Sequence, residues 1–360
     1  MANKLDIARQ IINEVDAQMA ELFVKRMCAA ELVYEHKKEF GLPILDQTRE
    51  DAVIEKNLAL IEDDILKEYY VDYLKHLMSV SRAYQYRLQK GLKVAYSGVE
   101  GAFAHIAAGR IYPQANRVSY SDFKAAYNSV QNGECDVAVL PIENSYAGEV
   151  GQTMDLIFSG NLYINGIYEL EIHQNLLGQP DATLEDIKKV ASHPQALSQC
   201  HEFIKQHNFV TEEINNTAIA AKIVAESNDK SLAAIASAET AELYGLNVIK
   251  ANINKSSENT TRFVVLSKVL AKTQTMSNTV LMLTVKNSAG SLASAISIIG
   301  KYGYNMTALR SRPLKKHSWQ YYFYVEAEGN IDTEKGADMI AALGEYCDNL
   351  RVVGSYIKDN

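Results

Sequence analysis

The sequence predicts a multidomain protein of three dissimilar parts: an all-α module, a layered α/β module and a small α+β module. Three observations carry this. Up to about Gln89 the chain holds one proline, Pro43, and one glycine, Gly41, both in a single connection, and its apolar residues recur at helical spacing. From Gly91 to about Lys268, short apolar runs alternate with helical stretches, as in sheets covered by helices. After a polar linker, AKTQTMSN, the remaining segments read strand, helix, strand, strand, helix, strand, the ferredoxin-like βαββαβ order. The expected boundaries are 1–90, 91–270 and 278–357.

In the first module Leu5, Ala8, Ile12, Val15, Met19 and Leu22 trace the seam of a long amphipathic helix, which Gly41-Leu42-Pro43 ends. Asp46 suits the N-cap of a second helix. A third helix runs from about Glu68 to Gln89. Three helices, one very long, cannot enclose a core alone, so a dimer pairing the long helices is expected. In the second module LKVAY is a strand, SGVEG a turn into a helix, and DVAVLPIE, SLAAIAS and RFVVLSK are further strands. SDFKAAYNSVQ, PQALSQCHEFIKQ and NTAIAAKIVAES are the helices between them, which predicts a mostly parallel sheet. In the third, TVLMLTVK, NMTALRSRP, SWQYYFYVEAEG and NLRVVGSY are strands, and AGSLASAISIIGKYG and TEKGADMIAALGEY are helices.

Composition narrows the class. With 360 residues, 47% hydrophobic and 22% charged, the chain is neither disordered nor collagen-like nor a coiled-coil rod. Lys and Arg number 36 against 44 Asp and Glu, a net charge of -8 with no basic block, which argues against nucleic acid and anionic membranes as partners. Cys28, Cys135, Cys200 and Cys347 lie far apart, so neither a zinc site nor a disulfide framework is indicated. The N-terminal stretch is charged throughout, and no run approaches a membrane span. A soluble cytoplasmic protein with reduced thiols, and with no metal or organic cofactor, is expected. Nothing in the sequence explains the 21 tyrosines functionally.

Counting the seam from Leu5 in sevens reaches Ile12, Met19 and then Arg26, a cation where an apolar residue is due. Lys37 lies about three turns further on the same face. One such charge is explained by snorkelling. Two on one stripe, followed by Asp46, Arg49 and Glu50, point to an anionic ligand, because a buried cation needs an anionic partner. Arg9 is turned roughly 100° from Arg26 and would reach that ligand from a partner helix.

The pattern Arg9, Asp16, Arg26, Lys37, Asp46, Arg49, Glu50 resembles the all-helical chorismate mutase domain, with Ser81 and Gln85 as its closing pair. A slipped register of the third helix offers Arg82 or Tyr86 instead. The resemblance implies that the chorismate dianion rearranges to prephenate without a nucleophile, by conformational selection and fixed positive charge. It implies that Arg26 and the partner subunit's Arg9 hold carboxylates and that Lys37 and Gln85 address the ether oxygen. Glu50 and the Asp46 region then hold the ring hydroxyl, and Arg49 and Ser81 support a carboxylate.

In the second module VLPIENSYAG brings Glu143, Asn144 and Ser145 to a loop after a strand. ASHPQALSQC sets His193 and Gln195 at a strand-to-helix junction, and NTTRFVVLSK sets Asn259, Thr260, Thr261 and Arg262 just before a strand. Strand ends and helix N-termini are where α/β folds bind anions. Each string alone reads equally as a cap or as strand propensity. Together, from Val94 to Ser267, they resemble the prephenate dehydratase family. The resemblance implies two α/β lobes with the site in the cleft, where prephenate loses carbon dioxide and its ring hydroxyl to give phenylpyruvate. It implies that Thr261 assists the leaving hydroxyl and that Arg262 binds or organises a carboxylate. Glu143, Asn144, Ser145 and Phe263 would shape the site, with His193 and Gln195 near it. The first glycine loop departs from the family: Ala102 and Ala104 stand where relatives carry hydroxyls, which is expected to affect substrate affinity.

The third module resembles the ACT domain, an amino-acid sensor that pairs and binds its effector at the interface. The family's G-A-L and E-S-R-P strings read here Gly290-Ser291-Leu292 and Arg310-Ser311-Arg312-Pro313. Feedback by phenylalanine is expected, with Arg310 reversing a charge that could repel an ammonium group or alter the link between domains. The combined reading is a bifunctional enzyme of phenylalanine biosynthesis, acting on chorismate and then prephenate as a homodimer or higher homo-oligomer. The competing reading is a cytoplasmic aromatic-acid-binding sensor with one or neither activity. Thr261-Arg262-Phe263 favours the enzyme; Ala102 and Ala104 favour the sensor.

Overall fold

The computed structural model describes residues 3–254, 259–272, 275–314 and 320–357, in two compact units, Met1–Leu92 and Lys93–Asn360.

The first unit is helical: α1 (Lys4–Glu39), α2 (Gln47–Leu58) and α3 (Asp64–Lys90). Each start has a side-chain cap. Asn3 accepts from the Leu5 amide, Asp46 from Arg49, and Asp63 from Ile65 and Leu66. Asp63 is why α3 begins a turn before the expected Glu68. With 36 residues, α1 is about 54 Å long. Every residue from 3 to 25 is exposed. That stretch includes Leu5, Ile12, Met19 and Leu22, the last 63% exposed. The apolar seam exists, and no residue of this unit covers it.

The second unit begins with β1 (Lys93–Ser97), α4 (Phe103–Ile111), β2 (Asn116–Tyr120), α5 (Phe123–Asn132), β3 (Val137–Asn144), β4 (Gly148–Glu149), α6 (Gly151–Ser159) and β5 (Tyr163–Glu171). A second lobe follows: β6 (Asn175–Gly178), β7 (Lys189–Ser192), α7 (Pro194–Gln199), α8 (His201–Gln206), β8 (Val210–Glu213), α9 (Thr217–Ser227), β9 (Leu232–Ala236), α10 (Ala238–Tyr244) and β10 (Asn247–Lys250). The chain then returns to the first lobe in β11 (Thr260–Ser267). It ends with β12 (Asn278–Val285), α11 (Ser291–Lys301), β13 (Asn305–Pro313), β14 (Tyr321–Glu328), α12 (Glu334–Gly344) and β15 (Cys347–Tyr356).

The second lobe is a five-stranded sheet ordered β10-β6-β9-β7-β8, parallel at β7, β8 and β9. The remaining strands form one ten-stranded sheet, β13-β14-β12-β15-β5-β11-β3-β1-β2, with β4 on β3. The sheet is mixed rather than mostly parallel, because β11 returns from the other lobe and runs antiparallel to both β3 and β5. The last six elements follow the order βαββαβ, and β15 joins β5 at Gly354 beside Ile164. A Cβ on Gly354 would lie 2.8 Å from the Ile164 Cβ, so only glycine permits that approach. Across the join, Val280, Met282, Tyr322 and Tyr324 share one buried core with Leu140, Ile157, Ile164 and Val264. The expected boundary between 270 and 278 therefore falls inside a single compact unit.

All four cysteines are free, and burial pushes the Cys200 thiol up to about 12. Among the described residues no helix is long and apolar enough to cross a membrane.

Candidate functional site

In the helical unit Arg26 of the α1 stripe meets one face of α3. The Arg26 guanidinium donates to the Ser81 hydroxyl and, at 3.4 Å, to the Leu77 carbonyl. Partial burial holds Arg26 below the usual arginine value, opposed by nearby Tyr73 and Glu50. Gln85, one turn beyond Ser81, is 6% exposed, and its Oε1 has no partner among the described residues. Ser81 and Gln85 thus face inward, Tyr86 faces solvent, and Arg82 turns aside to pair with Glu50. Arg82, the alternative a slipped register offered, neutralises the carboxylate expected to hold a ring hydroxyl. Lys37 donates to the Ile44 carbonyl. The Asp46 carboxylate takes the Arg49 amide at 3.0 Å as a helix cap, and the Arg49 side chain is exposed. Arg9 stands about 26 Å along α1 from Arg26, so the two cannot hold one ligand within a protomer.

The second unit has a cavity of about 270 Å³ between its lobes. The first lobe contributes Ala102, Phe103, Ala104, Asn144, Thr261 and Phe263; the second contributes Gln174, His193, Gln195, Gln199, Asn216 and Thr217. None of its lining residues is Asp, Glu, Lys or Arg. Positive potential comes instead from the N-termini of α4 and α9, which open on the cavity and present backbone N–H groups. Ala102 is the N-cap of α4 and makes no side-chain cap bond, so it leaves the first-turn amides to a ligand. Asn216 caps α9 through the Ala218 amide at 2.8 Å. Gly101, at φ +87, brings the two starts together: a Cβ there would sit 3.1 Å from Leu243 Cδ2 and 3.3 Å from Ala218 Cβ.

Asn144 organises the cavity floor. Its Nδ2 donates to Asn259 Oδ1 at 2.9 Å, the Thr260 carbonyl at 3.2 Å and Thr261 Oγ1 at 2.9 Å. Its Oδ1 accepts from the Tyr146 and Ala147 amides at 3.1 and 2.9 Å and from Gln195 Nε2, in the other lobe, at 3.4 Å. Asn144 Nδ2 shares its two protons among these three acceptors, and a Thr261 hydroxyl that accepts from it keeps its own proton for donation to a ligand in the cavity. A hydroxyl that accepts a hydrogen bond is also polarised into a better donor.

Two family models match the chain: "Prephenate dehydratase" over residues 94–270 and "Chorismate mutase type II" over residues 8–86. A bifunctional chorismate mutase/prephenate dehydratase of Aquifex aeolicus is 31% identical over 353 residues, which are 97% of each chain. The chain belongs to the bifunctional chorismate mutase/prephenate dehydratase family. Its activities are those two. An arogenate dehydratase/prephenate dehydratase of Arabidopsis thaliana is 35% identical over 74% of this chain and 73% of its own. The solved prephenate dehydratase of Arthrobacter aurescens, in complex with L-Phe, matches 74% of this chain and 90% of its own with a TM-score of 0.68 and 28% identity.

Three residues expected at the dehydratase substrate lie elsewhere. Side chains alternate along a strand, so Arg262 points away from the cavity that Thr261 and Phe263 line. Its guanidinium grips Glu326 of β14 at 3.0 and 2.7 Å. Burial opposes the Arg262 charge, but the bond to Glu326 outweighs it and raises the arginine above its usual value. Glu143 turns the same way and pairs with Arg310. The Ser145 hydroxyl accepts the Thr260 amide at 3.0 Å and so braces the loop. Arg312, expected to touch an effector, pairs instead with Asp155 and Glu149, both at 3.0 Å, in the first lobe. Ser311 and Pro313 flank it on β13. Gly290 is the left-handed N-cap of α11, the Ser291 hydroxyl meets Ser288 at 2.6 Å, and Leu292 lines a cavity of about 170 Å³. Gln174 lines this cavity with no sequence signal; Gln199 lies in the ASHPQALSQC string, Phe103 in the first glycine loop, and Asn216 stands as the N-cap before TAIAAK.

The dehydratase histidines supply a pH test. His193 Nδ1 accepts the Gln195 amide at 3.2 Å, and His105 Nδ1 accepts the Gly101 amide at 3.2 Å. Burial holds both below the ordinary histidine value, helped at His105 by Arg117. The unfolded chain therefore binds protons that the folded chain refuses. This contribution to stability is complete above about pH 6.5 and is lost as pH falls toward the lowered folded values. The thermal midpoint of the full chain should drop between pH 7 and 5.5, and less in His193→Asn, which keeps a cap acceptor. Equal drops in both proteins remove His193 from the account.

Proposed function

We propose that α1–α3 hold the rearrangement site and that the cavity between the lobes holds the dehydratase site, so that one cytoplasmic chain converts chorismate to prephenate and prephenate to phenylpyruvate. The observation that carries the second half is the Thr261 hydroxyl, which lines the cavity 2.9 Å from Asn144 Nδ2. The electron pair of the breaking C–CO₂ bond enters the ring and expels the ring hydroxyl, to which Thr261 donates. The α4 and α9 N-termini receive carboxylates, a role the uncharged lining leaves to them.

In the first half, Arg26 and the partner subunit's Arg9 hold the carboxylates, and Lys37 and the Gln85 amide serve as donors to the ether oxygen. A half-turn of that amide exchanges its unpartnered oxygen for the NH₂ group. Arg9 acts from a second chain: a dimer that pairs the α1 seams covers Leu5, Ile12, Met19 and Leu22. The βαββαβ segment is an ACT sensor for phenylalanine, supported by its element order and by the L-Phe complex of the Arthrobacter aurescens enzyme.

The experiment supplies chorismate and follows prephenate and phenylpyruvate separately; both should appear in turn. Prephenate that accumulates without phenylpyruvate removes the dehydratase assignment. Calorimetry with millimolar phenylalanine should show binding and slow the second step; no heat and no inhibition remove the sensor.

A further inference from the structure

We propose that a chain of four alternating charges, Arg310, Glu143, Arg262 and Glu326, is a positioning device for the dehydratase hydroxyl, which makes the C-terminal module a working part of that site. The inference rests on the dehydratase reading of the cavity. In the β3–β11 ladder Asn144 is paired with Thr261, and Glu143 with Arg262. Adjacent rungs face opposite sides of a sheet. The first rung therefore faces the cavity, and the second faces the C-terminal module.

There β14 supplies Glu326 at one end of the chain of charges and β13 supplies Arg310 at the other. Arg262 bonds both oxygens of Glu326, at 3.0 and 2.7 Å, and lies 3.3 Å from Glu143. The other oxygen of Glu143 takes Arg310. Glu326 is 2% exposed and also accepts from the Tyr324 and Tyr356 hydroxyls, at 2.7 and 3.4 Å. A bidentate arginine–carboxylate pair fixes direction as well as distance. The backbone ladder does not do this alone, because the β3–β11 register shifts between Arg262 and Phe263, immediately beyond the site rung. Arg312 repeats the link through Glu149 and Asp155, at the far end of the loop that follows Asn144.

The chain of charges is specific to this lettering. Arg310 stands where the ACT resemblance has an acid, and an acid there would face Glu143 and break the chain of charges. Breaking it lets the two strands move at the Asn144–Thr261 rung, where a displacement of about 1 Å is enough to cost about a hundredfold in rate.

The test uses the full chain, with mutase turnover as the internal measure of intact protein. Glu326→Gln and Arg310→Glu should each lower dehydratase kcat about tenfold or more, with KM for prephenate and mutase turnover changed less than about threefold. Arg310→Gln should lose less than Arg310→Glu. Arg262→Gln combined with Glu326→Gln should lose no more than the worse single change, because the two act as one unit. Unchanged kcat in these variants overturns the proposal. So does a loss carried by KM, which would return Arg262 to the substrate. If Glu326→Gln fails to fold, the Arg310 pair, whose side chain is 26% exposed, decides alone. A wild-type chain without dehydratase turnover overturns the reading of the cavity, and a Thr261 variant tests that separately.

Discussion

Thr261→Val is expected to lower prephenate dehydratase turnover by about 10²- to 10³-fold, the usual worth of a positioned proton donor. Mutase turnover on the same chain should be unchanged. Valine keeps the shape of threonine and removes only the O–H. Asn144 Nδ2 retains Asn259 Oδ1 and the Thr260 carbonyl as acceptors, so the change leaves no buried donor unpaired and the fold should be preserved. Thr261→Ser restores the hydroxyl and should recover most of the rate. The measurement is phenylpyruvate formation from prephenate beside thermal unfolding. A valine variant within about fivefold of the parent rate would take the chemistry away from Thr261.

Lys37→Ala is expected to lower mutase turnover by about 10²-fold or more while changing stability by less than about 1 kcal/mol. The asymmetry follows from where Lys37 sits. In the folded chain it makes one bond, to the Ile44 carbonyl, and it stands in the last turn of α1 beside His36 and Lys38. Two other basic residues there still complement the helix dipole. In the proposed rearrangement, by contrast, charge builds on the ether oxygen that Lys37 addresses. Chorismate consumption and the thermal midpoint are compared in the same preparation. Matched losses in both would make Lys37 a structural residue.

Much of this was legible in the sequence because the relevant rules are local. The α1 seam, the Gly41–Pro43 break, the Asp46 cap and the βαββαβ order each depend on residues within a few turns of one another. The site strings were legible as strings. Which of their members faces the cavity was not: Thr261 and Arg262 are neighbours in one motif, and the pleat sends them to opposite sides. The net charge of -8 suggested that a few cations must draw in dianions. In the helical unit Arg26 and Lys37 fit that expectation, whereas among the described residues the cavity between the lobes is lined by no Asp, Glu, Lys or Arg, and the proposed site draws on helix ends.

The sequence by itself determined the helix starts, the strand and helix alternation and the residue types that each chemistry needs, since these are set by side-chain period and capping. Only the tertiary structure decided that β15 continues the sheet through Gly354 and that α4 and α9 begin at one cavity. It also decided that Arg262 and Arg310 bind carboxylates of the protein. Those partners are 64 and 167 residues away along the chain. No local period reaches that far; the pairing exists only once β11, β13 and β14 lie in one sheet.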